Sequence, residues 1–306
     1  MHKNIHFIGI DETVMTGLAM ILREQGCVVT GSATNLRADI ANQLTHQNIL
    51  LNQYGFSKDN INSLIECVII GREVDTDNIE LKAAKELGLP IYSYNEYIYE
   101  QFAKLKQRIV VIGDSKVTDM VLAMAIYVMK YCERSFDYIA NIPQLDTPVR
   151  LSDAPIIFLK ADTHAISAVD QRMECLFYKP HIVLINGIDT NYCKTDVLLE
   201  EYINLLNDLS NTIPKAGSLI YYANIPSIKE EVARDRVDVK CISYQEHAWK
   251  QIDNINYLLT AQGKIYIPYY TDKIILQSIS ATHSLLKEIA ITDDKFYKAI
   301  ADFFVP

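Results

Sequence analysis

The stretch Gly113-Asp114-Ser115-Lys116-Val117-Thr118-Asp119 follows the apolar run Arg108-Ile109-Val110-Val111-Ile112 and precedes a helical run from Met120 to Met129. Strand, loop and helix in that order are the setting of a phosphate-binding loop. Such a loop needs glycines, so that backbone N–H groups can curl around phosphate oxygens, plus a lysine and a Ser/Thr for Mg²⁺. Gly113, Ser115, Lys116 and Thr118 are the residues here that could serve a nucleotide. Only one glycine is present, however, and two aspartates enter the loop. The setting is that of a nucleotide enzyme, and the expectation is that its phosphate chemistry has been lost.

The elements that must position this loop follow from length and composition. A chain of 306 residues, 49% apolar and 22% charged, can bury a sizeable core and suggests about two domains. A net charge of −9 argues against nonspecific nucleic-acid binding, which needs a basic surface. The 19 tyrosines are not spaced as a stacking platform. Six scattered cysteines (27, 67, 132, 175, 193 and 241), with no CxxC and no His at metal spacing, fit reduced, mostly buried thiols. A strand directly after Met1-His2-Lys3 leaves no room for a signal peptide, and no apolar run is long enough to span a bilayer. The expectation is a cytoplasmic protein.

Along the chain, apolar strands alternate with helical segments, which predicts an α/β fold with mainly parallel sheets. Strands are expected at 5–10, 27–32, 67–70 and 90–93, and helices at 13–25, 78–87 and 95–106. The helix from Thr13 carries Met15, Leu18, Ala19 and Leu22 on one face, and Gly26 stops it. The charged stretch Lys104 to Arg108 is read as the domain junction, giving domains 1–106 and 107–306. In the second domain, strands are expected at 108–112, 154–159, 181–186, 218–222, 239–242 and 264–267. Helices are expected at 198–209, 274–289 and 293–303.

In this order the segments resemble the Mur ligases of peptidoglycan synthesis, and most closely the muropeptide-recycling branch that joins UDP-N-acetylmuramate to a tripeptide. The resemblance is carried by His6-Phe7-Ile8-Gly9-Ile10, Val29-Thr30-Gly31-Ser32, Asp77 to Leu81, Tyr92-Ser93-Tyr94, Tyr178 to Ile182, Ile213 to Tyr221 and Ile291 to Ile300. It implies a Rossmann-like UDP-sugar domain followed by a P-loop-type ATP domain. Family members carry a third, C-terminal domain for the incoming amino acid or peptide, and the chain is expected to lack it.

The resemblance also allows the family's functional positions to be compared one by one. The first loop, Gly-Ile-Gly-Gly in the family, reads Gly9-Ile10-Asp11-Glu12. Two carboxylates there repel a pyrophosphate by about 1 kcal/mol per pair at ~4 Å in water. Acids at a helix start are favourable without any ligand, so the preferred reading is that they fill the anion's place. Gly31 and Ser32 remain from the UDP site, and Ala33 stands where the family has aspartate.

Against the ATP loop Gly-x-His-Gly-Lys-Thr-Thr, an ungapped match puts Val117 at the lysine. A one-residue deletion restores Lys116 but removes the glycine before it. Lys160 replaces the magnesium-ligating glutamate, Asn191-Tyr192 replaces Asp-His, and Ile274-Ile275 replaces His-Asn. The former metal positions Lys160 and Tyr192 therefore imply no metal, and ATP and Mg²⁺ are expected to be lost. Asp162 and His164 lie after a strand but show no third ligand, and Asp170 with Arg172 reads as a structural ion pair. Ser115 has no His/Asp partner to make it a nucleophile.

No catalytic set replaces the missing one. The expected protein is a Mur-ligase-like pseudoenzyme acting by binding a Mur ligase, another cell-wall protein or a second copy, with no nucleic acid or membrane partner. The alternatives are an ATP-dependent UDP-N-acetylmuramate–amino acid or peptide ligase component, and a sensor of a UDP-muramyl species. A dinucleotide oxidoreductase ranks last, because Asp11 interrupts its glycine turn.

Overall fold

The computed structural model describes residues 2–50, 55–189, 192–232, 237–261, 263–267 and 272–304. It divides into two compact units, one of residues 1–106, 146–153 and 164–177, the other of 107–145, 154–163 and 178–306. Among the described residues no helix is long and apolar enough to cross a membrane.

The first unit begins with β1 (Asn4–Ile8), α1 (Thr13–Glu24), β2 (Val28–Ser32), α2 (Ala38–His46), β3 (Cys67–Ile70), α3 (Ile79–Glu86) and β4 (Ile91–Ser93). The strands form a parallel sheet ordered β2-β1-β3-β4. Phe7, Ile8 and all of β3 are buried, as expected for apolar strands covered on both faces. Met15, Leu18, Ala19 and Leu22 form the buried face of α1, and Gly26 follows it at φ +89°. Asn78 caps α3, its side chain accepting from the N–H groups of Glu80 (2.9 Å) and Leu81 (3.2 Å).

One expectation changes here. The helix predicted over 95–106 is α4 (Tyr94–Ile98) followed by a π-helical turn at Tyr99–Ala103, where Lys104 N–H reaches back to Tyr99 O at 2.8 Å. At the expected junction, Lys106 and Arg108 are buried, Lys106 Nζ donating to Ser152 O (2.5 Å) and Arg108 Nε to Lys179 O (3.1 Å).

The second unit continues with β5 (Gln107–Ile112), α5 (Ser115–Tyr131) and β6 (Asp137–Ile139). The chain then rejoins the first unit at 146–153, with the short strand β7 (Val149–Arg150), and again at 164–177, with α6 (Glu174–Phe177). A division at 106/107 alone gives both returns to the second domain. They belong to the first because Glu174 accepts from Arg72 (2.8 Å) and Asn95 (2.8 Å), and Gly17 packs beside Pro148 and Val149.

Next come β8 (Ile156–Lys160), β9 (Ile182–Ile185), α7 (Asp196–Thr212), β10 (Ser218–Tyr222) and β11 (Lys240–Tyr244). Within this unit the parallel order is β11-β10-β9-β5-β8-β6. A separate antiparallel sheet, β12 (Trp249–Ile252), β13 (Ile255–Thr260) and β14 (Gly263–Ile267), precedes α8 (Lys273–Lys287) and α9 (Asp293–Phe303). Sequence reading found only the last of its strands. The missed turn is Asp253-Asn254, both at positive φ (50° and 62°), a two-residue hairpin connection.

Candidate functional site

In the first unit, Gly9 (φ +78°) ends β1, and its N–H and that of Ile10 both donate to Ser32 O at 2.9 and 3.1 Å. A Cβ on Gly31 would sit 2.6 Å from Ile10 Cδ1, so this glycine is required by packing between β2 and the loop. Ala33 is buried. Glu12 is the N-cap of α1 but does not cap it with its side chain. The carboxylate instead turns to the segment after β3, where Oε1 accepts from Glu73 N–H at 3.3 Å and crowds Gly71, at which a Cβ would stand 2.5 Å away. Burial pushes the Glu12 carboxyl up, while the Glu73 and Arg72 N–H groups act the other way. Burial also raises Asp11, and the charge of Glu73 adds to the effect.

These groups border a cavity of about 680 Å³ that Asp11, Glu12, Glu73, Asp75 and Asp77 share with Thr34, Phe56 and Asn78. No lysine or arginine is among the described residues that line it. Arg72 directs its guanidinium to Glu174 and to the Tyr94 hydroxyl (3.1 Å). Lys82 reaches Asp77 at 2.8 Å from the exposed side. The cavity is therefore dominated by negative charge, and a pyrophosphate entering it meets repulsion that strengthens as water is excluded. Among the described residues no group of three or more His, Cys, Asp or Glu is placed to hold a metal.

In the second unit, the expected loop of seven residues is only two residues long. The helix starts at Ser115, because Asp114 adopts an N-cap conformation and its Oδ1 accepts from Lys116 N–H (3.0 Å) and Val117 N–H (3.1 Å). Those N–H groups are the donors a helix N-terminus would otherwise offer to phosphate. Lys116 is exposed. Thr118 is buried, and its hydroxyl receives Asn186 Nδ2 at 2.7 Å.

Lys160, at the end of β8, places Nζ 2.6 Å from Asp119 Oδ1, with both side chains part-buried. The ammonium that meets Asp119 is thus that of Lys160, while Lys116 on the same helix is exposed. Tyr192 donates its N–H to Asp189 O (3.1 Å), and its ring lies 6.1 Å from that of Tyr202. Asn191 lies outside the described residues. Ile274 and Ile275 sit in the first turn of α8, where Asp272 caps Ile275 N–H at 2.8 Å.

Asp162 belongs to the second unit and His164 to the first. Arg172 contacts Asp170 (2.5 Å) and Glu96 (3.0 Å), a structural network. None of the six cysteines forms a disulfide; Cys27, Cys67 and Cys175 are buried and Cys241 is exposed.

The Asp114 cap has a measurable weight. Asp114→Ala is expected to lower the stability of the second unit by about 1 kcal/mol, within the 0.5–2 kcal/mol range of lost caps. Urea denaturation followed by Trp249 fluorescence checks this, since Trp249 is the chain's single tryptophan and lies in that unit. An unchanged midpoint would show that the carboxylate is not holding the helix.

Comparison with known proteins points to one family. Residues 4–106 match the family model described as Mur ligase family, catalytic domain. The UDP-N-acetylmuramate–L-alanyl-gamma-D-glutamyl-meso-2,6-diaminoheptandioate ligase of Escherichia coli (strain K12) is 24% identical over 249 residues, covering 81% of this chain and 53% of its own length. The UDP-N-acetylmuramate–L-alanine ligase of Clostridium kluyveri is 24% identical over 94% of this chain and 62% of its own. The chain thus spans little more than half the length of such relatives.

Among solved structures, the UDP-N-acetylmuramate:L-alanyl-gamma-D-glutamyl-meso-diaminopimelate ligase from Neisseria meningitides shares the fold with a TM-score of 0.83. The identity is 20%, and the match covers 100% of this chain and 99% of that chain. The UDP-N-acetylmuramate-alanine ligase from Thermotoga maritima gives a TM-score of 0.70 at 16% identity, over 99% of this chain and 69% of the other. Residues 4–106 thus match the Mur ligase family, and the chain as a whole is similar to UDP-N-acetylmuramate ligases in sequence and shares their fold.

Proposed function

We propose that this is a Mur-ligase-like protein of peptidoglycan precursor synthesis or recycling that works in the cytoplasm by binding, without ATP-dependent ligation. The observation that carries this reading is the Asp114 carboxylate on the first N–H groups of α5, the place a nucleotide phosphate needs. The ion pair of Lys160 with Asp119 supports it, because a lysine ammonium stands where relatives of this fold are expected to present a magnesium ligand. These residues do not fit a triphosphate with Mg²⁺: the ion needs oxygen ligands, and the phosphates need free donors. The partner is another Mur ligase, a different cell-wall protein or a second copy of the chain.

Isothermal titration of the full chain with ATP and Mg²⁺ tests the reading. No saturable heat is expected up to about 1 mM nucleotide, the edge of weak binding. Micromolar ATP binding would overturn it and favour a ligase component.

A second reading, a sensor of a UDP-muramyl species, is favoured by the 680 Å³ cavity beside the Gly9 loop. It predicts a rise in the melting temperature of the first unit with the UDP-sugar, since a ligand for the native state stabilises by RT ln(1 + [L]/Kd). The five lining carboxylates weigh against it.

A further inference from the structure

Glu80, in the first turn of α3, is fully buried and takes no part in either anion-type loop. Its Oε1 accepts from Ser57 N–H (2.9 Å) and Asn60 Nδ2 (2.7 Å). Its Oε2 accepts from the Ser32 hydroxyl and faces His6 Nε2 at 3.4 Å. His6, equally buried, sets Nδ1 2.8 Å from the Thr30 hydroxyl. One carboxylate thereby ties β1, β2 and α3 to residues 57–60. A buried ion pair is a weak source of net stability, because well-packed apolar residues of similar volume often do as well. What the charge adds here is a grip on donors in a segment with little other hold.

That segment is the arm 55–60. It starts at Gly55 (φ +106°), whose N–H donates to Ala33 O at 2.8 Å, and contains a single 3-10 turn at Lys58–Asn60. It ends where Ile61 enters a small apolar cluster with Ile65 and Leu81. Between those anchors only Phe56 packs on the same cluster, half-buried. The arm walls two cavities: Phe56 borders the carboxylate-lined one, while Ser57, Asp59 and Asn60 border a second, of about 600 Å³, together with Ile5, Val28 and Thr30.

We propose that residues 55–60 form a lid shared by the two cavities, and that Glu80 is its latch. Breaking the latch frees Ser57 and Asn60 from the sheet, and the lid swings between Gly55 and Ile61, uncovering the buried Ile5 at the floor of the second cavity, whose rim at Val28 and Leu64 is already exposed. The proposal does not depend on whether the chain is a ligase.

Hydrogen exchange on the full chain tests it, comparing wild type with Asn60→Ala and Glu80→Gln. Asn60→Ala removes a latch bond from the lid side and leaves the buried His6–Glu80 pair intact. Amides 57–61 are expected to exchange about tenfold faster or more in both variants, while those of β1 and β3 stay slow. The neutral nitroxide TEMPOL, suited to a cavity walled mostly by uncharged groups, is expected to broaden the Ile5 methyl signals more strongly in the variants. Unchanged exchange at 57–61, an equal loss of protection across β1 and β3, or faster exchange with no added TEMPOL effect at Ile5 would each overturn the lid.

Discussion

Gly113→Ala is expected to destabilise the second unit by about 3 kcal/mol or more. Gly113 sits at φ +133°, which an L side chain rarely adopts, and strain of that kind costs of order 1–3 kcal/mol. An alanine Cβ would also stand 2.4 Å from Asn186 Oδ1, 2.7 Å from Gly187 N and 2.9 Å from Gly187 O. Two of those atoms are backbone and cannot rotate away, and forced overpacking adds typically 1–3 kcal/mol. Against a total stability of about 5–15 kcal/mol this is a large share.

The control is Gly187→Ala, whose Cβ would meet Asp114 Cβ at an ordinary 3.4 Å and which should change stability by under about 1 kcal/mol. Urea midpoints read from Trp249 distinguish the two. If Gly113→Ala left the midpoint unmoved, the close approach of this turn to Asn186 and Gly187 would be disproved. The loop's single glycine is thus explained by packing, with no phosphate needed.

Much of the frame was readable because it is locally encoded. Continuous apolar runs such as Ile109-Val110-Val111-Ile112 are buried on both faces, and the apolar stripe of α1 points inward as its spacing requires. The start of α5 was misread for an instructive reason. Taking 113–119 as a phosphate loop delayed the helix to Met120, whereas Asp114 ahead of Ser-Lys-Val is an ordinary N-cap signal. Helix α2 escaped notice because only Ala41 and Leu44 are buried in it, too few to show a period.

The side-chain pairings lay further out of reach. Lys160 and Asp119 are 41 residues apart, and His6 and Glu80 are 74 apart. Glu80 follows Asn78 at a helix start, where an acid is favourable in any exposed helix. Nothing local marks it as buried. Glu12 fills space beside the segment after β3, which it reaches from the end of the neighbouring strand β1.

Glu80→Ala is the second change with a large expected effect, about 3–5 kcal/mol on the first unit, as for removal of one partner from a buried charge pair. Ser32 and His6 would lose their acceptor at a buried site, and Ser57 N–H and Asn60 would lose theirs at a part-buried one. The charge of Glu80 also gives this stabilisation a pH signature. Burial is the largest single influence and raises its pKa, but the hydrogen bonds from His6 and Ser32, the charge of His6 and the Ser57 N–H together hold it below the ordinary 4.5.

A carboxyl depressed in the folded state stabilises fully above its unfolded pKa, and the contribution fades as pH falls through the lower folded value. His6 is the titratable group facing it. Lys58 and Asp59 on the turn, Asp77 just before α3 and Lys82 on α3 are exposed, and the last two pair with each other. Protection of the β1 and β3 amides should therefore fall as pH drops below the ordinary carboxyl value of 4.5 in the wild type and fall less steeply in Glu80→Gln. Equal acid slopes in the two proteins, or an alanine variant costing under about 1 kcal/mol, would mean that the buried carboxylate carries no net charge in the fold.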